Sequence, residues 1–169
     1  GILFFGRILA YAAMLENKEV TWFPSYGAEM RGGTANCTVI ISDELIGSPV
    51  VTNPDILIVM NDESLKKFQP RLKQNSLLIF DSSLIKDLSL RHDIESLGVP
   101  ATEISATLGD TKSANMVLLG SLISKTALLE KTSVFEALES SMPERKKKSI
   151  EINKRAVMEG VRFIEDKKG

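Results

Sequence analysis

The chain has 169 residues, 43% of them hydrophobic, and a formal net charge of −1 from 21 basic and 22 acidic side chains. A chain of this length removes roughly 70% of its unfolded surface from water on folding, so it forms one core without metal or disulfide staples. The balanced charge gives no global electrostatic attraction for nucleic acid or for a membrane surface. The sequence therefore predicts a single domain over residues 1–169 and neither of those two partners.

Cys37 is the only cysteine and His92 the only histidine. One cysteine forms no internal disulfide and holds no iron–sulfur cluster, which takes about four thiolates. We interpret Cys37, which lies in a strand-like run, as a small buried hydrophobe. His92 lies among charged residues and is interpreted as a surface residue rather than a base or a metal ligand. The sequence thus predicts no metal site and no catalytic residue in this chain.

No segment has the features of a secretory signal or a membrane span. The most apolar stretch, residues 116–123, is too short to cross a bilayer and contains Ser121. The one basic cluster, residues 145–148, is typical of a solvated helix face. The sequence therefore predicts a soluble, cytoplasmic protein.

The first third of the chain is predicted to contain one helix and two strands. Residues 1–15 place apolar side chains at helical spacing. Residues 19–23 are typical of a strand, with Pro24 ending it, and residues 34–42 predict a second strand.

The middle of the chain alternates strands and helices. The continuous apolar runs at residues 56–60 and 76–80 predict strands buried on both faces of a parallel sheet. Asp62 is predicted to cap a short amphipathic helix over residues 64–72. Asp81 follows the second run, where α/β sheets commonly place ligands.

The last third is predicted to be helical. Residues 98–103 turn the chain into a helix, with Thr102 or Thr107 as candidate caps, and residues 113–120 predict a helix buried all round. Ser133 is a candidate cap for residues 134–138. Pro143 suits the first turn of a long helix ending near Asp166. The predicted inner stripe of that long helix is Ile150, Asn153, Val157, Gly160, Val161 and Ile164.

Alternating strands and helices with short connections are characteristic of a parallel sheet with right-handed crossovers. The predicted fold class is therefore α/β: a three-layer α/β/α, mostly parallel, Rossmann-like arrangement with a helical C-terminal tail.

The segment between the first two strands contains residues that strands avoid. Its hydrogen-bonding side chains and glycines are Ser25, Tyr26, Gly27, Glu29, Arg31, Gly32, Gly33 and Asn36. Glycines let a ligand approach the backbone closely. Two interpretations remain open: a ligand-binding loop, or the tight turn of a hairpin with Glu29 and Arg31 as a solvated pair.

The order Tyr-Gly-x-Glu-x-Arg-Gly-Gly at residues 26–33, followed by a strand, closely resembles the signature of the gamma subunit of the 2-oxoacid:ferredoxin oxidoreductases. This family includes the pyruvate, 2-oxoglutarate and ketoisovalerate synthases. Further family-like stretches are Pro-Ala-Thr-Glu at 100–103, the run at 113–120 and Asn-x-x-Ala-x-x-x-Gly at 153–160. The stretch Leu108-Gly109-Asp110 matches only the start of a thiamine diphosphate motif, because Thr111 stands where that motif has glycine.

The resemblance implies a role in a multi-chain enzyme that oxidatively decarboxylates a 2-oxoacid to acyl-CoA. Alpha and beta subunits hold thiamine diphosphate, an iron–sulfur (delta) subunit carries the clusters, and ferredoxin takes the electrons. Coenzyme A is the co-substrate. This chain is expected to bind no cofactor alone and to be inactive when isolated. The substrate favoured is 2-oxoglutarate or pyruvate, although substrate selection rests largely on the thiamine-bearing chains.

Coenzyme A is polyanionic at one end, so a loop with glycine N–H groups and an arginine is suited to hold it. The candidate binding residues are Tyr26, Gly27, Glu29, Arg31, Gly32, Gly33 and Asn115. For Asn115 a second role stays open, in which its amide satisfies backbone groups of the loop. Two other functions also stay open: a purely structural assembly subunit and a free-standing nucleotide-binding domain.

Members of the resembled family open with a strand and a glycine-rich turn ending in Gly-Gln-Gly, followed by a helix. Gly1 matches the last glycine of that turn. The resemblance therefore implies that the first strand and most of the turn precede Gly1.

Overall fold

The computed structural model describes residues 1–25, 34–86 and 89–168. Five strands and six helices lie in these ranges. The strands are β1 (Glu19–Ser25), β2 (Asn36–Ser42), β3 (Ile56–Val59), β4 (Leu77–Asp81) and β5 (Glu95–Val99). The helices are α1 (Ile2–Leu15), α2 (Asp62–Phe68), α3 (Ala101–Thr107), α4 (Ala114–Thr126), α5 (Lys131–Ser141) and α6 (Lys147–Lys168).

The strands form two separate sheets. β1 and β2 pair antiparallel, with Glu19 opposite Ser42 and Ser25 opposite Asn36. β3, β4 and β5 form a parallel sheet in that order. Two adjacent parallel strands are joined by a long crossover connection, and the connection between β3 and β4 contains α2.

Helices cover both faces of the parallel sheet. On one face the main core joins α1, α4, α5 and α6 to alternate strand residues such as Leu77 and Ile79. On the other face a smaller cluster joins Leu65 of α2 to Leu78 and Phe80. This alternation along β4 follows from the two-residue period of a strand. The α/β fold class with helices on both sides and a long C-terminal helix is confirmed.

Several predicted elements are confirmed, although some of their ends differ: α4 continues to Thr126, and α6 begins at Lys147, after a 3-10 turn at Glu144–Lys146 that follows Pro143. The confirmed elements are α1, α4, α6, the strands β2 and β4, and the short helix α2, which continues as a 3-10 turn at Gln69–Arg71. β4 is buried along its whole length, as its apolar run predicts. β3 is different, because three of its four residues are only partly buried.

One strand prediction was wrong, and one strand was missed. Pro24 does not end β1 but pairs with Cys37 inside the strand. Proline has no backbone N–H to donate, and an edge strand tolerates it where that N–H would face solvent. β5 was not predicted at all. It begins with exposed Glu95 and Ser96, so it lacks the continuous apolar run that identified β3 and β4.

The predicted helix caps were also wrong. Asn61, not Asp62, caps α2, and its Oδ1 accepts the backbone N–H of Ser64 at 2.8 Å. Thr102 and Thr107 both lie inside α3. Ser133 lies within the first turn of α5, which begins at Lys131. Short polar side chains fit several first-turn positions, so the sequence alone does not choose among them.

The stripe predicted for α6 is buried except at Asn153, which is only partly buried, and Ala156 adds to it. α6 packs along α4, with Gly160 facing the backbone of Val117 and Gly120 facing that of Val157. A side chain at either glycine would keep these two helices apart.

Candidate functional site

The end of the parallel sheet at which β3, β4 and β5 finish is termed here the carboxyl edge. α4 runs back from this edge, because Lys125 near its end pairs with Glu95 at the start of β5. α1 runs in the same direction as α4. Asn115 Nδ2 donates to the Gly1 carbonyl at 2.9 Å at one end, and Glu130 N donates to the Glu16 carboxylate at 2.8 Å at the other. The first turns of α1 and α4 therefore both lie at the carboxyl edge.

Asn115 is the one candidate binding residue that the structure describes. It is 4% exposed and lies in the first turn of α4. Its amide donates to the Gly1 carbonyl, ahead of the first turn of α1. The predicted role of this amide toward the loop of residues 26–33, called here the signature segment, stays a prediction, because that segment lies outside the described residues. Direct contact of Asn115 with a ligand also stays a prediction.

The other candidates, namely Tyr26, Gly27, Glu29, Arg31, Gly32 and Gly33, lie outside the described residues. The two ends of their segment are described. Ser25 and Asn36 form the last pair of the β1–β2 ladder. Cys37 Sγ lies 3.6 Å from the carbonyl oxygen of Ile2, which places the start of β2 beside the first turn of α1. The described residues on either side of the signature segment thus lie at the carboxyl edge, beside the first turn of α1.

Asp81 lies at the same edge, at the end of β4, and is fully buried. One carboxylate oxygen accepts the Thr102 hydroxyl at 2.6 Å, and the other accepts the backbone N–H of Ser83 at 3.0 Å. The Thr102 bond ties β4 to the first turn of α3. This link was not predicted from the sequence, although two features point to it: an apolar strand that ends in Asp, and a Pro-Ala-Thr-Glu turn after the neighbouring strand.

The one cysteine and the one histidine of the sequence both lie among the described residues. Cys37 is only partly buried, where the sequence predicts a buried residue. This partial burial still raises the pKa of its thiol, which keeps it protonated and a poor nucleophile near neutral pH. His92 is exposed, as predicted. Among residues 1–25, 34–86 and 89–168, no three His, Cys, Asp or Glu side chains group as metal ligands, and no helix is long and apolar enough to cross a membrane.

Comparison with known proteins identifies the family to which this chain belongs. The profile of the pyruvate ferredoxin/flavodoxin oxidoreductase family matches residues 1–163. The chain is 36% identical to the 2-oxoglutarate synthase subunit KorC of Methanocaldococcus jannaschii over 85% of this chain and 78% of that protein. It is 31% identical to KorC of Methanothermobacter thermautotrophicus, over 96% of this chain and 92% of that one.

The chain is also 34% identical to the ketoisovalerate oxidoreductase subunit VorA of Methanothermobacter thermautotrophicus over 98% of its length. It spans only 34% of that relative and 25% of VorA from Methanothermobacter marburgensis. Each of these relatives is, by its name, a subunit of an oxidoreductase or a synthase.

Solved structures agree with the fold. The gamma subunit of a keto/oxoacid ferredoxin oxidoreductase from Geobacter sulfurreducens superposes with a TM-score of 0.81 at 28% identity, over 97% of this chain and 91% of that one. A 2-oxoglutarate:ferredoxin oxidoreductase from Magnetococcus marinus, solved with coenzyme A bound, has a TM-score of 0.88 at 21% identity and contains the match in 29% of its chain. The chain therefore belongs to the pyruvate ferredoxin/flavodoxin oxidoreductase family and is of the gamma-subunit type.

Proposed function

We propose that this chain is the gamma subunit of a multi-chain 2-oxoacid:ferredoxin oxidoreductase and that its signature segment helps to position coenzyme A. The observation that carries the first part is the match with 2-oxoglutarate synthase subunits over more than nine-tenths of both sequences. In this proposal thiamine diphosphate and iron–sulfur clusters belong to partner chains, and ferredoxin receives the electrons.

The second part rests on where the segment is attached. Its two ends, at Ser25 and Asn36, lie at the carboxyl edge beside the first turn of α1. Parallel α/β sheets bind ligands at this edge, and backbone N–H groups at a helix start favour anions. Arg31 supplies a charge suited to a phosphate, and Glu29 orients it. Positioning the thiol end of coenzyme A lowers the entropy cost of acyl transfer, while the partner chains perform the chemistry.

The substrate is proposed as 2-oxoglutarate or pyruvate. The near full-length similarity to 2-oxoglutarate synthase subunits favours the first. Ketoisovalerate belongs in the same test because of the ketoisovalerate relatives.

The test begins with the tagged chain purified from its native host at low salt. We expect partner chains to accompany it, and the eluate to reduce a viologen dye only when a 2-oxoacid and coenzyme A are both present. Comparing 2-oxoglutarate, pyruvate and ketoisovalerate identifies the substrate. A chain that elutes alone, inactive and well behaved, contradicts the subunit assignment and favours a free-standing nucleotide-binding domain.

Arg31→Ala in the purified complex tests the coenzyme A role. A lost phosphate contact of roughly 1.5–3 kcal/mol raises the KM for coenzyme A about 10-fold to 100-fold, with the 2-oxoacid KM and the subunit composition unchanged. Arg145→Ala is the matched control, because Arg145 is an exposed arginine in the 3-10 turn before α6.

A purely structural role is the second candidate. Large apolar side chains at Phe23 and Leu45 are 56% and 88% exposed, as expected of a surface that a partner covers. Under this alternative Arg31→Ala loosens the complex and leaves the coenzyme A KM of the remaining intact complex unchanged.

A further inference from the structure

A groove lies on the outer side of α1, against β1 and the end of α5. It is open to solvent and has a volume of about 330 Å³. The packing of β1 on α1 is close here, because a Cβ added to Gly6 would lie 3.1 Å from the Trp22 indole Nε1. We call this feature the outer groove, and the residues that line it are Arg7, Ala10, Tyr11, Met14, Trp22 and Ser141.

The exposed face of α1 is apolar, whereas the exposed face of a surface helix is ordinarily polar. Its residues are spaced by three or four positions and are Phe4, Arg7, Tyr11 and Met14. Arg7 is the only charged residue of the helix, and Met14 is 58% exposed. A helix that is apolar on all sides is normally buried on all sides. The outer face of α1 therefore indicates contact with another molecule.

α6 provides the contrast within the same protein. It also lies at the surface, and half of its 22 residues are charged. Its exposed face contains Glu151, Arg155 and Arg162. α6 thus has the composition of a helix that faces water, and α1 does not.

The side chains that line the outer groove are of the types that contribute most to binding at protein interfaces. Tyr, Trp, Met and Arg are enriched at such interfaces, and Lys and Glu are depleted. The apolar part of the lining comes from Tyr11, Met14 and Trp22, none of which is fully buried. Arg7 lies beside them, with its guanidinium 5.4 Å from the centre of the Phe4 ring. The groove is therefore suited to an apolar side chain that has a carboxylate close by.

A basic run, residues 145–148, lies near the outer groove. It begins four residues after Ser141, and four residues of extended chain span at most roughly 14 Å. All four of its side chains are exposed, and Glu144 is the only acidic residue among residues 141–148. In the part of the chain that the structure describes, neither Arg7 nor the basic run forms an ion pair. The run also lies at the start of α6, where positive charges are unfavourable. A negatively charged partner would offset this repulsion.

We propose that the outer groove is the docking site for an acidic segment of another protein chain. An apolar side chain of that segment lies between Tyr11, Met14 and Trp22, and its carboxylates pair with Arg7 and with the basic run. This inference rests on the proposed function, which supplies the partner chains of a multi-chain enzyme. The apolar outer face of α1 and the unpaired positive charges beside it carry the inference.

Charge and shape favour a protein segment over two other occupants. A two-fold dimer places the same surface of both copies face to face, so Arg7 and the basic run of one copy would meet those of the other. Binding to a membrane surface buries an apolar face in the lipid. The outer groove is concave instead, and Tyr11 and Trp22 in its lining are only partly exposed.

Zero-length cross-linking tests the inference in the complex purified from the native host. A carbodiimide joins a lysine amine to a carboxylate only where the two groups are in contact. We expect cross-links from Lys146, Lys147 or Lys148 to aspartates or glutamates in one segment of another chain, identified by mass spectrometry. Lys131 is the internal control, because it is an exposed lysine at the opposite end of α5 from Ser141 and should not join that segment.

Arg7→Glu and Arg7→Lys form a matched pair at an exposed position, since only the first reverses the charge. We expect the complex with Arg7→Glu to retain about 10-fold less of the cross-linked chain in washes of raised salt. Arg7→Lys should lose less than about 3-fold, because the charge remains. Urea unfolding of the isolated variants should match that of the wild type, which separates a docking effect from a folding effect.

Several results would overturn the inference. Partner chains that form no such cross-link, or that stay bound to Arg7→Glu as to the wild type, exclude docking at the outer groove and leave the proposed function intact. Cross-links between two copies of this chain would make a second copy the occupant. Binding to phosphatidylcholine–phosphatidylserine vesicles that Arg7→Glu abolishes would make a membrane the occupant. A tagged chain that brings no partner contradicts the proposed function together with this inference.

Discussion

Asp81 shows how one buried side chain fixes the geometry of the carboxyl edge. Its carboxylate holds the Thr102 hydroxyl at 2.6 Å and the Ser83 N–H at 3.0 Å, and it is fully buried. We expect Asp81→Ala to lower the free energy of unfolding by about 2–4 kcal/mol, since each buried donor left without an acceptor costs roughly 1–3 kcal/mol. Urea denaturation measures this loss.

Asp43→Ala is the matched control for Asp81→Ala. Asp43 pairs with Lys18 at 2.5 Å, but its side chain is 82% exposed. Exposed pairs contribute about 0–1 kcal/mol, so this variant should stay close to the wild type. A double-mutant cycle with Thr102→Val isolates the coupling between Asp81 and Thr102. No coupling would show that the hydroxyl bond does not stabilise the fold.

Cys37 gives a prediction about pH. Burial raises the pKa of its thiol in the folded protein, so the neutral thiol is the form that the fold favours. The associated stabilisation is fully present below the pKa of an unfolded thiol, about 8.5, and is lost as the pH rises through the folded value. We expect the alkylation rate of the folded chain to keep rising above pH of about 9, past the plateau expected for an ordinary thiol.

Because Cys37 is the only cysteine of this sequence, bulk iodoacetamide consumption between neutral and alkaline pH reports its titration. The same measurement in concentrated urea supplies the unshifted reference. A plateau reached at the same pH in both states would contradict the raised pKa of the Cys37 thiol in the folded protein.

At the scale of elements, α4 and α6 meet at two glycines. A Cβ on Gly160 would lie 2.0 Å from the Val117 carbonyl oxygen, and one on Gly120 would lie 2.0 Å from that of Val157. Backbone atoms cannot turn aside as a side chain can, so the helices would have to separate. We expect Gly120→Ala and Gly160→Ala each to cost at least about 2 kcal/mol of unfolding free energy.

The sign of this effect is diagnostic. Alanine ordinarily stabilises a helix interior by about 1 kcal/mol relative to glycine, so a loss here measures the close helix contact. Gly47→Ala is the control, since nothing lies within 4 Å of its added methyl group, and a change within about 0.5 kcal/mol is expected. Thermal denaturation of the three variants measures these changes in stability. A gain at Gly160 would mean that α4 and α6 are not packed this closely.

The elements that the sequence predicts well are those whose pattern reflects their burial. α4 is apolar all round and buried, and β4 is a continuous apolar run inside the sheet. β5 was missed because an edge strand that begins with exposed Glu95 and Ser96 has no such pattern. Caps were missed for a related reason: Asn61 and Asp62 are equally suited to the position, and only the backbone conformation selects Asn61.

Some residues of the candidate site could likewise be predicted from the sequence, whereas their contacts could not. The resemblance identified the signature segment and Asn115 because particular residue types recur in a fixed order. No local pattern predicted that Asn115 would hold Gly1, because this contact joins residues 114 positions apart in the chain. The link between Asp81 and Thr102 is likewise set by the order of strands in the sheet, which the sequence does not specify locally.

At the scale of the whole molecule, the β1–β2 hairpin and the parallel sheet are joined mainly through α1. Within the described residues the hairpin packs chiefly on α1 and does not pair with the parallel sheet. α4, α6 and the parallel sheet form the larger buried core. Local stability follows buried contacts, so the hairpin should open before the core does.

Trp22 lies on β1 against Gly6 of α1 and is the only tryptophan of this sequence, so its fluorescence reports on the hairpin and on its contact with α1. Far-ultraviolet circular dichroism reports mainly on the helices of the core. Coincident transitions are the mark of two-state unfolding. We expect the fluorescence transition at a lower urea concentration than the dichroism transition, because the hairpin makes no strand pairing with the parallel sheet among the described residues. Coincident transitions would show that the contact with α1 is enough to make the two sheets unfold as one unit.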